Sequence, residues 1–285
     1  MKLVDIGANL AHKRMRGDLD AILARSARVG ISAIVITGTS AQASRAAWEI
    51  AEARSAGPVL LRSTAGIHPH EARTFGRDSA PLLRALLARS QVVAVGECGL
   101  DHDRLFSTRE EQLLCFEAQI DLAAELRLPL FLHEREAHED FAALLARHRS
   151  RLVGGVVHCF TGDERALLRY LDLDLHIGIT GFFCDERRGG HLAPLVARIP
   201  AGRLMLETDA PFLLPRTLRP RPADGRNEPA FLPHVLAAVA SCRGEDPRET
   251  ARHTSATARS FFGLGEERAS DHAQGSDPRG HAKLI

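Results

Sequence analysis

Aromatic side chains with a polar handle are nearly missing: the 285 residues include one tryptophan and one tyrosine. That argues against a long platform on which many bases stack. No apolar run approaches the roughly 20 residues of a membrane span. The chain opens on a strand-like segment, not an apolar leader. No membrane association and a cytoplasmic location are therefore expected. Neither sign of charge prevails, with 37 basic and 36 acidic side chains, which speaks against a cationic protein that coats long nucleic acid. The cysteines are five, at 98, 115, 159, 184 and 242, with no Cys-x-x-Cys spacing. An odd, scattered set argues against a disulfide framework or zinc knuckle and for a reducing compartment.

What is present is a regular alternation. Short apolar runs lie at 3–6, 33–37, 61–67, 92–96, 128–133, 154–158, 175–179 and 203–207. Between them, segments of helical period lie at 18–28, 41–56, 79–88, 109–126, 136–147, 163–171 and 191–198, with two more at 231–242 and 247–260. Near-continuous apolar strands alternating with helices imply a parallel sheet covered by helices. Eight such units fit an α/β fold of the closed (β/α)8 TIM-barrel type. A doubly wound open sheet is the rival, but no Gly-x-Gly-x-x-Gly follows the first run. One barrel domain is expected over 1–263. Residues 264–285 lose all periodicity, and a disordered tail is expected there.

In such a barrel the chemistry sits where strands end. The first run ends in Asp5-Ile6-Gly7-Ala8-Asn9 and the third in His68-Pro69-His70. Later runs lead into Glu97, His133, His158 and, at the eighth, Glu207-Thr208-Asp209. So many ionisable groups in one mouth are costly to bury unless they share a partner. A divalent metal is the simplest, since imidazole and carboxylate donors suit Zn²⁺ or Mn²⁺ and a carboxylate-rich set suits Mg²⁺. Glu97, His133 and His158 follow consecutive strands and should converge. Asp209 could take a proton from an attacking water. The bland alternatives are turn histidines at 68 and 70 and a helix cap at 209. Asp101 and His102 read as supporting or capping residues.

The segments DIGANL, TAGIHPHEA, VVAVGECGLDHDRLFST, LPLFLHERE, GGVVHCFTGD, GITGFFCDERRG, LMLETDAPFLLPR and GRNEPAFLPHV occur in this order. Together they resemble the TatD family of metal-dependent deoxyribonucleases, in its bacterial branch, over residues 1–263. The resemblance implies a TIM barrel of the metallo-dependent hydrolase type that hydrolyses phosphodiesters. It further implies 3′-to-5′ exonuclease action on DNA ends, single strands favoured and RNA within reach. The family's metal-binding glutamate corresponds to Glu97, its two metal-binding histidines to His133 and His158, and its strand-8 aspartate to Asp209. Many relatives carry Asp-x-His-x-His at the first strand end, where this chain has Gly7 and Asn9. One firmly held ion is therefore expected, Mg²⁺ ahead of Mn²⁺ or Zn²⁺, with a second site weak or completed by substrate phosphate.

In this reading Glu97, His133, His158 and Asp209 hold the metal, Asp209 also serving as base. His68 and His70 donate to the scissile phosphate or the leaving oxygen. Asn9, Arg187, Arg188, Arg216 and Arg226 contact substrate, because arginine forks suit phosphate oxygens. Phe182, Phe183 and Phe212 are candidate stacking faces, with core packing the alternative. A monomer that grips a strand end is expected. Two rivals use the same residues: a metallo-hydrolase acting on a small amide or ester, and a binding protein with a residual metal site.

Overall fold

The computed structural model describes residues 1–265. Every apolar run is a strand: β1 Leu3–Ala8, β2 Ile31–Ile36, β3 Leu60–Ala65, β4 Val92–Asp101, β5 Leu130–Arg135, β6 Gly155–Val157, β7 His176–Ile179 and β8 Leu204–Leu206. They pair in parallel in the order β1 through β8. The ring closes just beyond the end of β8. Ala8 bridges to Ala210, the Asp209 N–H donates to the Gly7 carbonyl at 2.8 Å, and the Asn9 N–H donates to the Ala210 carbonyl at 2.6 Å.

The helices are α1 Leu19–Arg28, α2 Ala41–Ala53, α3 Ser79–Leu87, α4 Arg109–Leu126, α5 His138–His148, α6 Glu164–Asp172, α7 Glu186–Gly189, α8 Ala193–Val196, α9 Leu232–Arg243 and α10 Pro247–Phe262. The helix expected over 191–198 is broken. Two short α segments flank a 3₁₀ turn at Gly190–Leu192, where Gly189, Gly190 and Pro194 disfavour a continuous helix. β4 and β5 run past their apolar residues to Asp101 and Arg135, because Gly99, Leu100 and Asp101 pair with His133, Glu134 and Arg135. Backbone pairing does not need apolar side chains, so the runs understate the strands.

The strand period of two sorts the side chains. Val4, Ile6, Ala33, Val35, Val93, Phe131, Val156 and Met205 form a cluster inside the barrel. Leu3, Ile34, Ile36, Val92, Leu130, Leu132 and Val157 join the second cluster, with the helices. Ala258, Phe262 and Leu264, from α10 and just beyond it, complete the inner cluster. Arg259 of that helix donates to Ser32 Oγ at 2.7 Å, which places α10 where the strands begin. The opposite end is left for polar residues. Leu264 is still packed, one residue beyond the expected boundary. The tail expected over 264–285 lies, from 266 on, outside the described residues.

Candidate metal centre and active site

Glu97 sits at a register shift. Gly96 pairs with Phe131 and Cys98 with Leu132, so Glu97 is the extra residue of β4. Such an insertion re-aims a side chain. Gly96 makes it feasible: its φ is 140°, and a Cβ there would collide with the Phe131 carbonyl. The Glu97 side chain is buried, and three imidazoles meet its Oε1: His68 Nε2 at 3.2 Å, His133 Nδ1 at 3.0 Å and His158 Nε2 at 2.8 Å. Their strands or strand ends are β3, β5 and β6, which flank or follow β4 in the ring.

The partners define the protonation of each ring. His68 Nδ1 accepts the His70 N–H at 3.1 Å, so its Nε2 carries the hydrogen and donates to Glu97. Burial, stronger than the pull of Glu97, brings His68 down to about 4 and keeps it neutral. His133 lies between two carboxylates, with Nε2 at 3.2 Å from Asp101 Oδ2. His158 does too, with Nδ1 at 3.4 Å from Glu207 Oε2. Burial opposes the charge on both, and the flanking carboxylates overcome it, so both are raised. Burial would likewise raise Glu97, but the His158 and His68 rings and the bonds from His133 hold it well below the usual carboxylate range.

Asp101 and Glu207 support this cluster from behind. Asp101 Oδ2 takes both His133 and, at 2.8 Å, His70 Nε2. Its Oδ1 accepts the N–H groups of Asp103 and Arg104 at 3.1 and 2.7 Å. Glu207 is fully buried, and its Oε1 accepts the Cys159 N–H at 2.6 Å. That bond fixes Cys159 in a left-handed conformation, φ 47°, which few side chains adopt. Glu207 also explains the first strand end. A Cβ on Gly7 would overlap Glu207 Oε2, and one on Gly178 would lie 2.6 Å from Oε1. The room that a side chain would take at Gly7 is filled by the Glu207 carboxylate, just beyond β8.

His68, Glu97 and His133 each offer a ligand atom within 4.8 Å of the others. With His158 on the same Glu97 oxygen, imidazole nitrogens and carboxylate oxygens converge on one point. That donor chemistry fits a divalent cation. Asp209 does not share the Glu97 oxygen. Its Oδ1 accepts the Asn9 amide at 2.8 Å, so Asn9 orients the carboxylate. Burial, with Glu97 and Glu207 adding to it against His158, pushes Asp209 up to about 7.

The arginines divide. Arg226 donates from both terminal nitrogens to Asp18, at 2.7 and 2.8 Å, and also to the Arg14 carbonyl. Its fork is filled by these partners, and it fastens the loop before α9 to the start of α1. Arg188 and Arg216 share the buried Asp185 Oδ2, each through Nε at 3.1 Å. Both remain more than half exposed, and Arg187 is exposed beside them. Phe182 and Phe183 pack partly against the core, whereas Phe212 stands out into solvent. Glu207 and Phe106 were not singled out by the sequence. The first looks like an ordinary strand end, and only its order in Glu-Thr-Asp hinted at more.

A parallel barrel that gathers imidazoles and carboxylates at its strand ends defines a hydrolase whose centre is built for a metal. The family profile described as TatD related DNase matches residues 4–263, and the chain belongs to that family. It is a nuclease, a hydrolase of phosphodiester bonds. The chain is 48% identical over 262 residues to a protein of Pantoea ananatis named 3′-5′ ssDNA/RNA exonuclease TatD, covering 92% of this chain and all of that one. A Klebsiella pneumoniae protein of the same name is also 48% identical, with 92% and 98% covered. Among solved structures, a TatD homologue from Escherichia coli K12 superposes with a TM-score of 0.83 at 29% identity, covering 92% of this chain and 98% of that one. No helix among the described residues is long and apolar enough to cross a membrane.

Proposed function

We propose that this nuclease removes nucleotides from the 3′ ends of single-stranded DNA or RNA with the help of one divalent cation, Mg²⁺ ahead of Mn²⁺ or Zn²⁺. The observation that carries the reading is Glu97 Oε1, on which three imidazoles converge at the barrel mouth. The names of relatives at 48% identity support the polarity and the single-stranded substrate.

Glu97, His133 and His158 would hold the cation, with His68 within reach of the same point. A divalent cation there supplies Lewis acidity toward a phosphoryl oxygen and offsets its charge. The chain's own groups do the rest. Asp209 keeps Oδ1 on the Asn9 amide and presents Oδ2 to take a proton from the attacking water. His70 is the more exposed of the paired histidines, a quarter against an eighth. It is held by Asp101 and is the donor to the leaving oxygen. Arg187, Arg188 and Arg216 receive backbone phosphates. The near balance of charge and the concave mouth suit a gripped end more than a coated strand. Action as a monomer in the cytoplasm completes the reading.

The test is end-labelled single-stranded DNA incubated with Mg²⁺, Mn²⁺ or EDTA. A chelator-sensitive ladder that shortens from the 3′ terminus is expected. Shortening from the 5′ terminus, or turnover that persists in EDTA, would overturn it.

A further inference from the structure

All twelve phenylalanines, the tryptophan and the tyrosine lie within the described residues. Twelve of these fourteen rings are buried or half-buried; Phe106 and Phe212 are 58% and 45% exposed. Leaving a ring in water forgoes its burial energy, yet singly exposed apolar residues are ordinary, so position is what sets these two rings apart. Here both exposed rings adjoin the site, from loops that follow different strands.

Phe106 stands in the loop between β4 and α4. Its ring meets His70 edge-on, centroids 4.9 Å apart at 75°. The loop is fixed on both sides of it. Asp101 accepts two backbone N–H groups, and Gln112 donates to the Asp101 and Ser107 carbonyls at 2.9 and 3.0 Å. Ser107 Oγ donates to the His70 carbonyl at 3.1 Å, and Thr108 opens α4 with a reciprocal cap to Glu111. The backbone is held while the ring is left outside. Phe212 follows Asp209 by three residues, its N–H donates to the Asp209 carbonyl at 2.9 Å, and its carbonyl accepts the Asn227 amide at 2.7 Å. Its ring meets His12 at 5.3 Å. Phe106 is thus set against His70 of the site and Phe212 is held by its backbone to Asp209, and each ring presents a free apolar face.

From this placement we infer that Phe106 and Phe212 are the base-stacking faces of the nucleic-acid-end subsite, taking nucleobases on either side of the scissile phosphate. The inference rests on the proposed substrate. A π-face accepts any base, which gives grip without sequence preference. Two rings suit the few nucleotides of an end, where the chain has too few aromatics for a longer track.

The test compares an ordinary single-stranded oligonucleotide with one whose 3′-terminal segment carries abasic units. KM and kcat are measured with Mg²⁺, and binding by fluorescence anisotropy in EDTA. The wild type should favour the base-bearing end by about tenfold in KM and in Kd. In Phe106→Ala and in Phe212→Ala that ratio should fall toward one. Phe106→Trp should restore it and Phe106→Leu, apolar but without a π-face, should not. A ratio preserved in either alanine variant overturns the pair. If the wild type degrades neither oligonucleotide with any metal, the nuclease reading of the substrate fails, and the anisotropy ratio still decides whether the rings take bases.

Discussion

Asp5 and Thr208 are 203 positions apart and share two hydrogen bonds: the Thr208 N–H donates to Oδ1 at 3.0 Å and its hydroxyl to Oδ2 at 2.6 Å. Oδ1 also accepts the Gly7 N–H at 3.2 Å. β8 ends at Leu206, so no ladder continues between it and β1. The buried Asp5 carboxyl takes the place of those rungs. Thr208 lies between Glu207 and Asp209, so the same bonds aim both. Asp5→Ala leaves up to three buried donors unpaired and should lower stability by about 3 kcal/mol. Urea unfolding checks this, and turnover should fall with it. A change in stability within about 0.5 kcal/mol would mean that the bridge past β8 closes the ring unaided.

Glu97→Gln removes the charge on which His68, His133 and His158 converge. Turnover should fall by more than about a hundredfold, since changes one step behind a metal ligand already cost up to that much. Calorimetric Mg²⁺ or Mn²⁺ binding should be lost as well, with the circular dichroism spectrum retained. Wild-type turnover of Glu97→Ala at saturating Mg²⁺ would refute the ligand role.

Barrel and helices were legible because burial on both faces of a parallel strand leaves an apolar run, and amphipathic helices leave their period. His133 and His158 were legible as polar stops to such runs. What a run does not encode is an inserted residue, so the register shift that turns Glu97 inward appears only in the pairing of β4 with β5. Nor does one sequence reveal pairing at long range. Arg226 looks free until Asp18, 208 positions earlier, is seen in its fork. Gly7 looked like a lost ligand because the carboxylate that fills its space, Glu207, comes from the far end of the chain, just beyond β8. Exposure, which singles out Phe106, is a property of the folded surface.

The arginines should separate by salt dependence. Arg187→Ala and Arg216→Ala should each reduce the slope of log K against log salt by about one, the signature of a lost phosphate contact. Arg226→Ala should leave the slope unchanged and lower stability by about 1 kcal/mol through the loss of Asp18. A reduced slope for Arg226→Ala would return it to the substrate path.

Glu245 gives a pH dependence remote from the site. Burial alone would raise its carboxyl. Hydrogen bonds from His253 Nε2 at 2.8 Å, Thr250 Oγ1 at 2.7 Å and Arg243 Nε at 2.8 Å overcome this and hold it down at about 2. A depressed carboxylate stabilises the fold above its ordinary value of 4.5, and that contribution is lost as pH falls toward 2. Glu245→Gln should therefore be less stable than the wild type by about 2 kcal/mol at pH 6, allowing for partial exposure. The gap in urea midpoints should close between pH 4.5 and 2. A gap that stays constant over that range would show that packing, not charge, is what the substitution removes.

Gly7→Ala is the smallest change that tests the centre. The added methyl would overlap Glu207 Oε2 and approach Phe131 Cζ at 3.1 Å. Phe131 stacks on the His158 ring, centroids 4.8 Å apart, so both routes lead to His158. Overpacking should cost about 1–3 kcal/mol of stability, and displacement of Glu207 about 10- to 100-fold in turnover. Glu207→Gln separates the two effects. The amide keeps the volume but offers His158 Nδ1 no anion, so turnover should fall while thermal stability stays near that of the wild type. If Gly7→Ala were as active as the wild type, Glu207 would have room to spare, and the bare glycine at the end of β1 would need another explanation.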